Sequence, residues 1–217
     1  MKLNIDVENF KSVQDVMKSM ESAPEPVIEA TLKDFRQRAP NWIAREITKV
    51  YTIKAGEVKP GGSAGTIKSK TDGLSASIEY KGRTLTPIHF KLNTKVQRKK
   101  GKAKYIAPGQ RFKTDRPYVT MEENTYYRTT LAVKKGGSKV LHGKYNTPIF
   151  MAQVKGGFLP FQRKPNDPNK IVAVRSVSLP QMVSNENVQE GIERTIADQL
   201  QKRFEHNLDR YLSKHFK

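Results

Sequence analysis

The C-terminal segment 185–216 carries the feature that most constrains the fold, an apolar repeat with a period of four. Apolar side chains occupy every fourth position without interruption: Val188, Ile192, Ile196, Leu200, Phe204, Leu208, Leu212 and Phe216. An α-helix has 3.6 residues per turn, so this stripe rotates by about 40° per step around the helix axis. A coiled-coil seam needs spacings that average 3.5 residues, which this segment lacks. The repeat therefore predicts one long helix over residues 185–216 that crosses several partners obliquely.

The N-terminal residues 7–50 also show helical periodicity, in two segments. A first helix is predicted over residues 7–20, where apolar residues recur at spacings of three and four. A second begins near Pro26, because a proline is tolerated in the first turn of a helix. Pro40 lacks an amide N–H and its ring crowds the preceding turn, so the second helix is expected to break or kink there.

Between these helical ends, residues 59–177 change to short strands separated by turns. Alternation of apolar and polar side chains predicts a hairpin closed at Asp72-Gly73, followed by further strands. The predicted strands are 66–70, 74–80, 88–92, 129–133, 139–141, 149–154, 158–163 and 171–177. Residues 93–123 show no clear period and are interpreted as a basic arm. A short connector, 178–182, leads from the last strand into the long helix.

This order of elements predicts a single α+β domain over residues 1–217. N-terminal helices precede a central, mainly antiparallel sheet, and the long C-terminal helix is expected to pack on that sheet. Hydrophobic residues make up only 36% of the chain, which is low for a globular domain. One compact core with exposed polar arms is therefore expected.

The charge of the chain is concentrated in its middle. The formal net charge is +19, from 40 basic and 21 acidic residues. Residues 1–50 hold eight of each kind and residues 185–217 hold six of each, which leaves 26 basic and seven acidic residues in the middle, 51–184. Such asymmetry favours a surface that meets an anionic partner, either nucleic acid or an acidic protein, over a merely solvated surface.

The densest basic stretch is 91–116, in which tyrosine and phenylalanine are interleaved with lysine and arginine. Its predicted contacts with DNA or an acidic partner are Lys95, Arg98, Lys99, Lys100, Lys102, Lys104, Arg111 and Lys113. Cations bind phosphates and aromatic faces stack on bases, so this composition suits a nucleic-acid-binding arm. It suits a solvated or partner-ordered loop equally well, because so little apolar surface cannot offset the entropy of ordering the segment.

Motifs of common catalytic sites are absent from the sequence. The four histidines form no His-Glu-x-x-His pair, no Gly-x-Ser-x-Gly elbow occurs, and no glycine-rich loop ends in Gly-Lys-Ser/Thr. Without cysteines there is no disulfide and no thiolate metal site. The chain is therefore predicted to be no enzyme and to need no metal and no cofactor. No apolar run approaches the ~18 residues of a membrane span, and the first residues lack a signal-peptide core, so cytoplasmic synthesis is expected.

Several short segments, taken in order, resemble the minor tail protein Z family of long-tailed bacteriophages and prophages. These segments are 50–54, 83–90, 133–139, 148–152, 161–163, 177–182 and 204–208. The segment 177–182 (Val-Ser-Leu-Pro-Gln-Met) carries most of the resemblance, because it matches the family's Pro-Ser-x-Pro-Gln-Met turn except at Val177. The resemblance covers about residues 30–217 and is weakest from Asn93 to Tyr127.

The resemblance implies a structural virion protein that completes the tail at its head-proximal end and joins it to the head. Its partners would be tail tube or tail terminator proteins, neck proteins and further copies of itself in a ring, with non-specific contact to DNA. It would reside in the virion tail, and in the host cytoplasm during assembly. The residues that match family motifs are carried over as fold or interface markers: Pro87, Phe90, Phe161, Arg163, Pro180 and Met182. The alternative is a basic nucleic-acid-binding module that uses the stretch 91–116.

Overall fold

Five α-helices, one 3-10 turn and eleven strands occur in the part of the chain that the computed structural model describes, residues 2–6, 10–72, 75–99, 103–106, 118–121, 124–154 and 157–215. The helices are α1 (Lys11–Met20), α2 (Glu25–Val50), α3 (Ala55–Val58), α4 (Leu179–Val183) and α5 (Glu186–His215), and Pro87–His89 form the 3-10 turn. The strands are β1 (Lys2–Asp6), β2 (Thr66–Asp72), β3 (Ser75–Lys81), β4 (Lys91–Lys99), β5 (Ala103–Ile106), β6 (Tyr118–Met121), β7 (Asn124–Ala132), β8 (Lys139–Val140), β9 (Ile149–Val154), β10 (Gly157–Lys164) and β11 (Asp167–Ala173). The ladders between these strands are antiparallel, and the predicted α+β class is confirmed.

The two long helices, α2 and α5, run antiparallel. Thr195 Oγ1 donates to the buried carboxylate of Glu46 at 2.9 Å, while Asn207 Nδ2 donates to Thr31 Oγ1 at 3.2 Å. Helix α5 also packs on α1, and α2 packs on β2. The long helix therefore reaches the sheet chiefly through α2, whereas the sequence predicted that it would pack on the sheet itself.

The predicted apolar stripe of α5 is buried over its first five positions. The buried members are Val188, Ile192, Ile196, Leu200 and Phe204. Leu208 is partly buried, and Leu212 is 42% exposed. A stripe that rotates around the axis leaves the contact zone of a straight neighbouring helix after a few turns, which explains why its last described members lie outside the core.

The strands form four separate sheets instead of the one central sheet that was predicted. Their orders are β1-β3-β2, β4-β7-β8, β5-β6 and β9-β10-β11. The first sheet shares a hydrophobic core with α1, α2, α4 and α5, and the side chains of Ile67, Ile78 and Tyr80 lie in that core. The predicted hairpin is confirmed, because Asp72 pairs with Ser75 across residues 73–74, which lie outside the described part.

Helix α2 passes through Pro40 without a break, so the predicted break is wrong. Proline cannot donate to the carbonyl four residues earlier, which belongs to Arg36. The hydroxyl of Ser69, on strand β2, donates to that carbonyl instead. A side chain from the adjacent sheet thus replaces the hydrogen bond that the proline removes.

Several element boundaries differ from the prediction. The first helix begins at Lys11, not at residue 7, and residues 2–6 form strand β1, which was not predicted. Residues 7–9 lie outside the described part. Ile88 belongs to the 3-10 turn, so the predicted strand 88–92 is wrong in its first half, and β4 starts at Lys91. The last strand, predicted over residues 171–177, is observed at Asp167–Ala173 as β11.

The segment 93–123 is not a strandless arm in its described part. Strand β4 continues to Lys99 and pairs along its full length with β7, and β5 pairs with β6. We call the paired strands β4 and β7 the β4–β7 ribbon. Strand partners are selected by backbone hydrogen bonds as well as by side chains, so a strand can form without an alternation of apolar and polar residues.

The connector 178–182 is a short helix, α4. Ser178 accepts from the amide of Gln181, and the Gln181 side chain accepts from the Ser178 amide at 2.8 Å, which makes a capping box. Pro180 lies in the first turn, where its missing N–H costs no helical hydrogen bond. The spacing Ser-x-x-Gln is a sequence signal for such a helix start.

Candidate functional site

The residues predicted to contact DNA or an acidic partner are distributed along the ribbon and beyond it. Lys95, Arg98 and Lys99 lie on β4, opposite Arg128, Thr125 and Asn124 of β7. Lys104 lies on β5. The remaining four lie outside the described residues: Lys100, Lys102, Arg111 and Lys113.

Four of the six fold markers lie in or beside the hydrophobic core. Pro87 opens the 3-10 turn, and the amide of Phe90 closes it by donating to the Pro87 carbonyl at 3.0 Å. Pro180 and Met182 are buried in α4. Phe90 and Met182 belong to the same core cluster, so two segments that are far apart in sequence meet there.

Backbone hydrogen bonds bring these two segments together. The amide of Leu85 donates to the carbonyl of Val177 at 3.2 Å, and the amide of Ser176 donates to the carbonyl of Leu85 at 2.7 Å. Thr84 and Ser178 form an antiparallel bridge beside them. The chain that precedes Pro87 is therefore tied to the chain that precedes α4.

The other two markers, Phe161 and Arg163, lie on β10, away from that core. The rings of Phe161 and Phe150 stack with centroids 6.2 Å apart, and Arg163 Cζ lies 5.5 Å from the Phe150 centroid. Among the described residues, none of strands β9, β10 and β11 belongs to the core cluster. The structure thus separates the markers into a core group and a sheet group.

A basic groove opens at the root of the β4–β7 ribbon, where β4 begins and β7 ends. Its volume is about 790 Å³. Among its described lining residues, four are exposed lysines and none carries a carboxylate: Lys54, Lys91, Lys134 and Lys135. We call this cavity the lysine groove.

Thr52 holds the walls of the lysine groove together. Its amide donates to the carbonyl of Val133 at 2.9 Å, its hydroxyl donates to the carbonyl of Ala132, and the same hydroxyl accepts from the amide of Lys91 at 3.2 Å. The amide of Lys135 donates to the carbonyl of Val50 at 2.8 Å. The end of α2, the start of β4 and the end of β7 are thereby fixed to one another, which places the four lysines around one opening.

One carboxylate beside the lysine groove, that of Glu57, is already hydrogen-bonded. His89, in the groove lining, is hydrogen-bonded through Nδ1 to Oε2 of Glu57. Within the described part of the chain, none of the four groove lysines forms an ion pair with a carboxylate. Lys134 Nζ instead lies 5.9 Å from the ring centroid of Tyr51. The positive charge of the groove is therefore left for a ligand.

A second, smaller cavity of about 520 Å³ lies on the opposite flank of the turn 134–138. Lys134 and Lys135 line both cavities, and Lys139, His142 and Arg175 line the second. The turn that joins β7 to β8 is thus a basic projection between two basic depressions.

Burial raises the pKa of two tyrosines, Tyr51 beside the lysine groove and Tyr80 in the hydrophobic core. Desolvation raises the pKa of Tyr51, which ends α2, above its usual 10.0, because the charged form is disfavoured away from water. Desolvation raises the pKa of Tyr80 strongly, and its hydroxyl has no hydrogen-bond partner among the described residues. Both hydroxyls stay protonated at neutral pH.

Sequence reasoning placed the anion contact in the stretch 91–116 and missed the lysine groove. Three of its four lysines lie outside that stretch, and they come from segments about 80 positions apart that only hydrogen bonds such as that of Thr52 bring together. The dipeptide Lys134-Lys135 before Gly136-Gly137 was a local signal, since it places two cations on a tight turn. The second signal was a property of the whole chain, the concentration of positive charge in residues 51–184.

No group of three or more metal-binding side chains (His, Asp or Glu) was found among the described residues. Nor does any described helix combine the length and apolar character that crossing a membrane requires. Comparison with protein-family models, with curated proteins and with solved structures found no match to this chain.

Proposed function

We propose that this chain is a structural tail-completion protein of a long-tailed phage or prophage, acting at the head-proximal end of the tail. Support comes from the ordered resemblance of seven segments to the minor tail protein Z family. The role is non-enzymatic and needs no cofactor. Its partners would be tail tube or tail terminator proteins, neck proteins and further copies of itself.

The observation that carries the structural role is a mainly apolar sheet face whose named side chains are partly buried or exposed. Register places these side chains on one face of the sheet β9-β10-β11: Phe150, Ala152, Leu159, Phe161, Arg163, Ile171 and Ala173. None of them is buried, and Ile171 is 50% exposed. The opposite face contains the buried residues Pro160 and Gln162. We call the first face the outer sheet face.

Apolar faces of this kind mark protein–protein contacts in soluble proteins. A three-stranded sheet that buries little on one side gains stability when another surface covers it. Phe161 and Arg163, two of the markers taken from the resemblance, lie on this face. We infer that copies of the chain associate through it, each outer sheet face meeting a different surface of the next copy, as closure of a ring requires.

Light scattering after size exclusion tests the association. At high salt, which screens charge and leaves apolar interfaces intact, we expect a discrete oligomer. Ile171→Lys places a charge on the outer sheet face and should lower the measured mass towards the monomer. Leu212→Lys, at a similarly exposed leucine on α5, is the matched control and should leave the oligomer unchanged. An equal response of both variants would refute the assigned interface.

Particle composition tests the phage role itself. Tailed particles purified after induction of a strain that carries the gene should contain this chain by mass spectrometry. Deletion of the gene should leave filled heads and unjoined tails in electron micrographs. Joined, infectious particles assembled without the chain would refute the tail-completion proposal, whatever the oligomeric state of the purified protein.

The charge concentrated in residues 51–184 favours one alternative, a nucleic-acid-binding module that uses the stretch 91–116. Such a module binds DNA tightly with a steep dependence on salt, because each phosphate contact releases counterions. Neutralising Lys99, Lys100 and Lys102 should then weaken DNA binding without affecting the assembly of particles. A variant that keeps DNA binding and fails in head–tail joining would favour the tail protein.

A further inference from the structure

We propose that the lysine groove is a binding site for the phosphate backbone of nucleic acid. The site shares Lys91 with the stretch 91–116 but lies mainly outside it, and it does not depend on the tail-protein proposal. The site consists of Lys54, Lys91, Lys134 and Lys135 around one opening of about 790 Å³. Its ligand is a run of phosphodiesters, recognised by charge and not by base sequence.

The charge balance of the groove carries the first step of the argument. Four exposed ammonium groups share one opening, no described lining residue carries a carboxylate, and the described residues offer these lysines no ion pair. Like charges repel when they are held together, and this arrangement is maintained by hydrogen bonds of the Thr52 amide and of the Thr52 hydroxyl. A bound polyanion would relieve the repulsion at several points at once.

The composition of the lining favours nucleic acid over an acidic protein. Cores of protein–protein interfaces are depleted in lysine and rich in aromatic and apolar side chains. Protein–DNA interfaces are more polar and much more positive. Each of the four groove lysines offers a phosphate oxygen a point charge, which needs no fixed donor geometry.

The glycine turn beside Lys134 and Lys135 has an exposed main chain. Gly136 has φ +89, a conformation that residues with side chains rarely adopt, and a side-chain carbon added to Gly136 or Gly137 would meet nothing within 4 Å. The two glycines thus present the neighbouring lysines on an open turn that a phosphate can reach.

The lysine groove lies at the start of strand β4. Lys91 lies in the groove lining and is also the first residue of β4, which continues through Lys95, Arg98 and Lys99. The lysine groove thus lies at the start of the strand whose sequence contains three of the predicted contacts, Lys95, Arg98 and Lys99.

Salt-dependent binding of the full-length chain to a short fluorescein-labelled DNA duplex tests the proposal. The groove variant is Lys54→Gln/Lys91→Gln/Lys135→Gln, which leaves Lys134 on the Tyr51 ring. The slope of log K against log salt should fall in magnitude by about 0.9 for each lysine–phosphate pair that the variant removes, or about 2.7 in total, and affinity near 0.1 M salt should fall on the order of 100-fold.

The control is Lys33→Gln/Lys202→Gln/Lys214→Gln, which changes the net charge equally at exposed positions on helices α2 and α5. It should lower affinity by less than about threefold, since distant surface charges are screened. Equal salt slopes for the two variants would overturn the proposal. A second outcome would also overturn the proposal: the groove variant binds DNA as well as the control does but no longer binds poly-glutamate. That result would indicate that the groove binds an acidic protein. Matching thermal melts of the variants exclude unfolding as the cause.

Discussion

Replacing Tyr80 with phenylalanine should stabilise the protein, because the Tyr80 hydroxyl is buried without a hydrogen-bond partner among the described residues. Tyr80 is fully buried on β3, the central strand of its sheet, opposite Leu3 of β1 and Ile67 of β2. No described group accepts or donates a hydrogen bond at its hydroxyl. A buried polar group without a partner costs about 1–3 kcal/mol.

Removing the hydroxyl removes this destabilisation, less the dispersion energy that is lost because a small void remains. We expect Tyr80→Phe to raise the free energy of unfolding by about 1 kcal/mol at pH 7 and Tm by about 2–4 °C. Urea unfolding followed by circular dichroism measures the change. Tyr211→Phe, at a partly exposed tyrosine of α5, is the control and should stay within about 0.5 kcal/mol of wild type.

The same burial predicts a pH dependence whose sign follows from the raised pKa of Tyr80. Above pH 10 the unfolded chain loses the tyrosine proton while the folded chain keeps it, so the unfolded state is favoured as pH rises. Wild type should lose about 1.4 kcal/mol at pH 11 from this group alone, and Tyr80→Phe should not. The advantage of the variant over wild type therefore grows with alkaline pH. A destabilised variant at pH 7, or an advantage that stays constant up to pH 11, would refute the assignment of an unpartnered hydroxyl.

Five further substitutions, arranged in three tests, examine local features of the fold by urea unfolding. Ser178→Ala removes the capping box of α4 at a fully buried residue and should cost about 1–2 kcal/mol, and an unchanged midpoint would contradict the role of the cap. Ser69→Ala should lower the free energy of unfolding by about 0.5–1 kcal/mol in the wild-type background. In the Pro40→Ala background it should have almost no effect, because the new amide of residue 40 can donate to the Arg36 carbonyl that Ser69 otherwise binds. Additive effects in this double-mutant cycle would refute the idea that the Ser69 hydroxyl replaces the missing proline donor. Ile196→Ala should lower the free energy of unfolding by about 2–5 kcal/mol, and Leu212→Ala by less than about 1 kcal/mol. Equal losses would mean that the apolar stripe of α5 stays in the core as far as Leu212.

Local sequence patterns predicted several elements close to their observed bounds. These are the long helix, the hairpin β2–β3 and strand β9. In the long helix and the hairpin, one side is buried, so the spacing of apolar residues follows the geometry of the backbone. Strand β4 shows no such signal from residue 93 onwards, because partners in a ladder are selected by backbone hydrogen bonds as well as by side chains.

The helix through Pro40 shows why a correct local rule can give a wrong prediction. Proline removes a donor from the helix, and that expectation holds for an isolated helix. The donor that replaces it comes from Ser69, 33 positions away from Arg36. Such compensation depends on which strand packs beside the helix, and no local window of the sequence contains that information.

Spacing and composition along the chain were enough to establish a rotating apolar stripe and a basic middle between two electrically balanced ends. Each of these properties acts within a few residues or as a sum over many, so each can be read without coordinates. Folding alone brings Lys54, Lys91, Lys134 and Lys135 around one opening, because Thr52 links chain segments that lie about 80 positions apart. Charge can be counted along a sequence, whereas the distances that turn charge into a binding site arise when the chain folds.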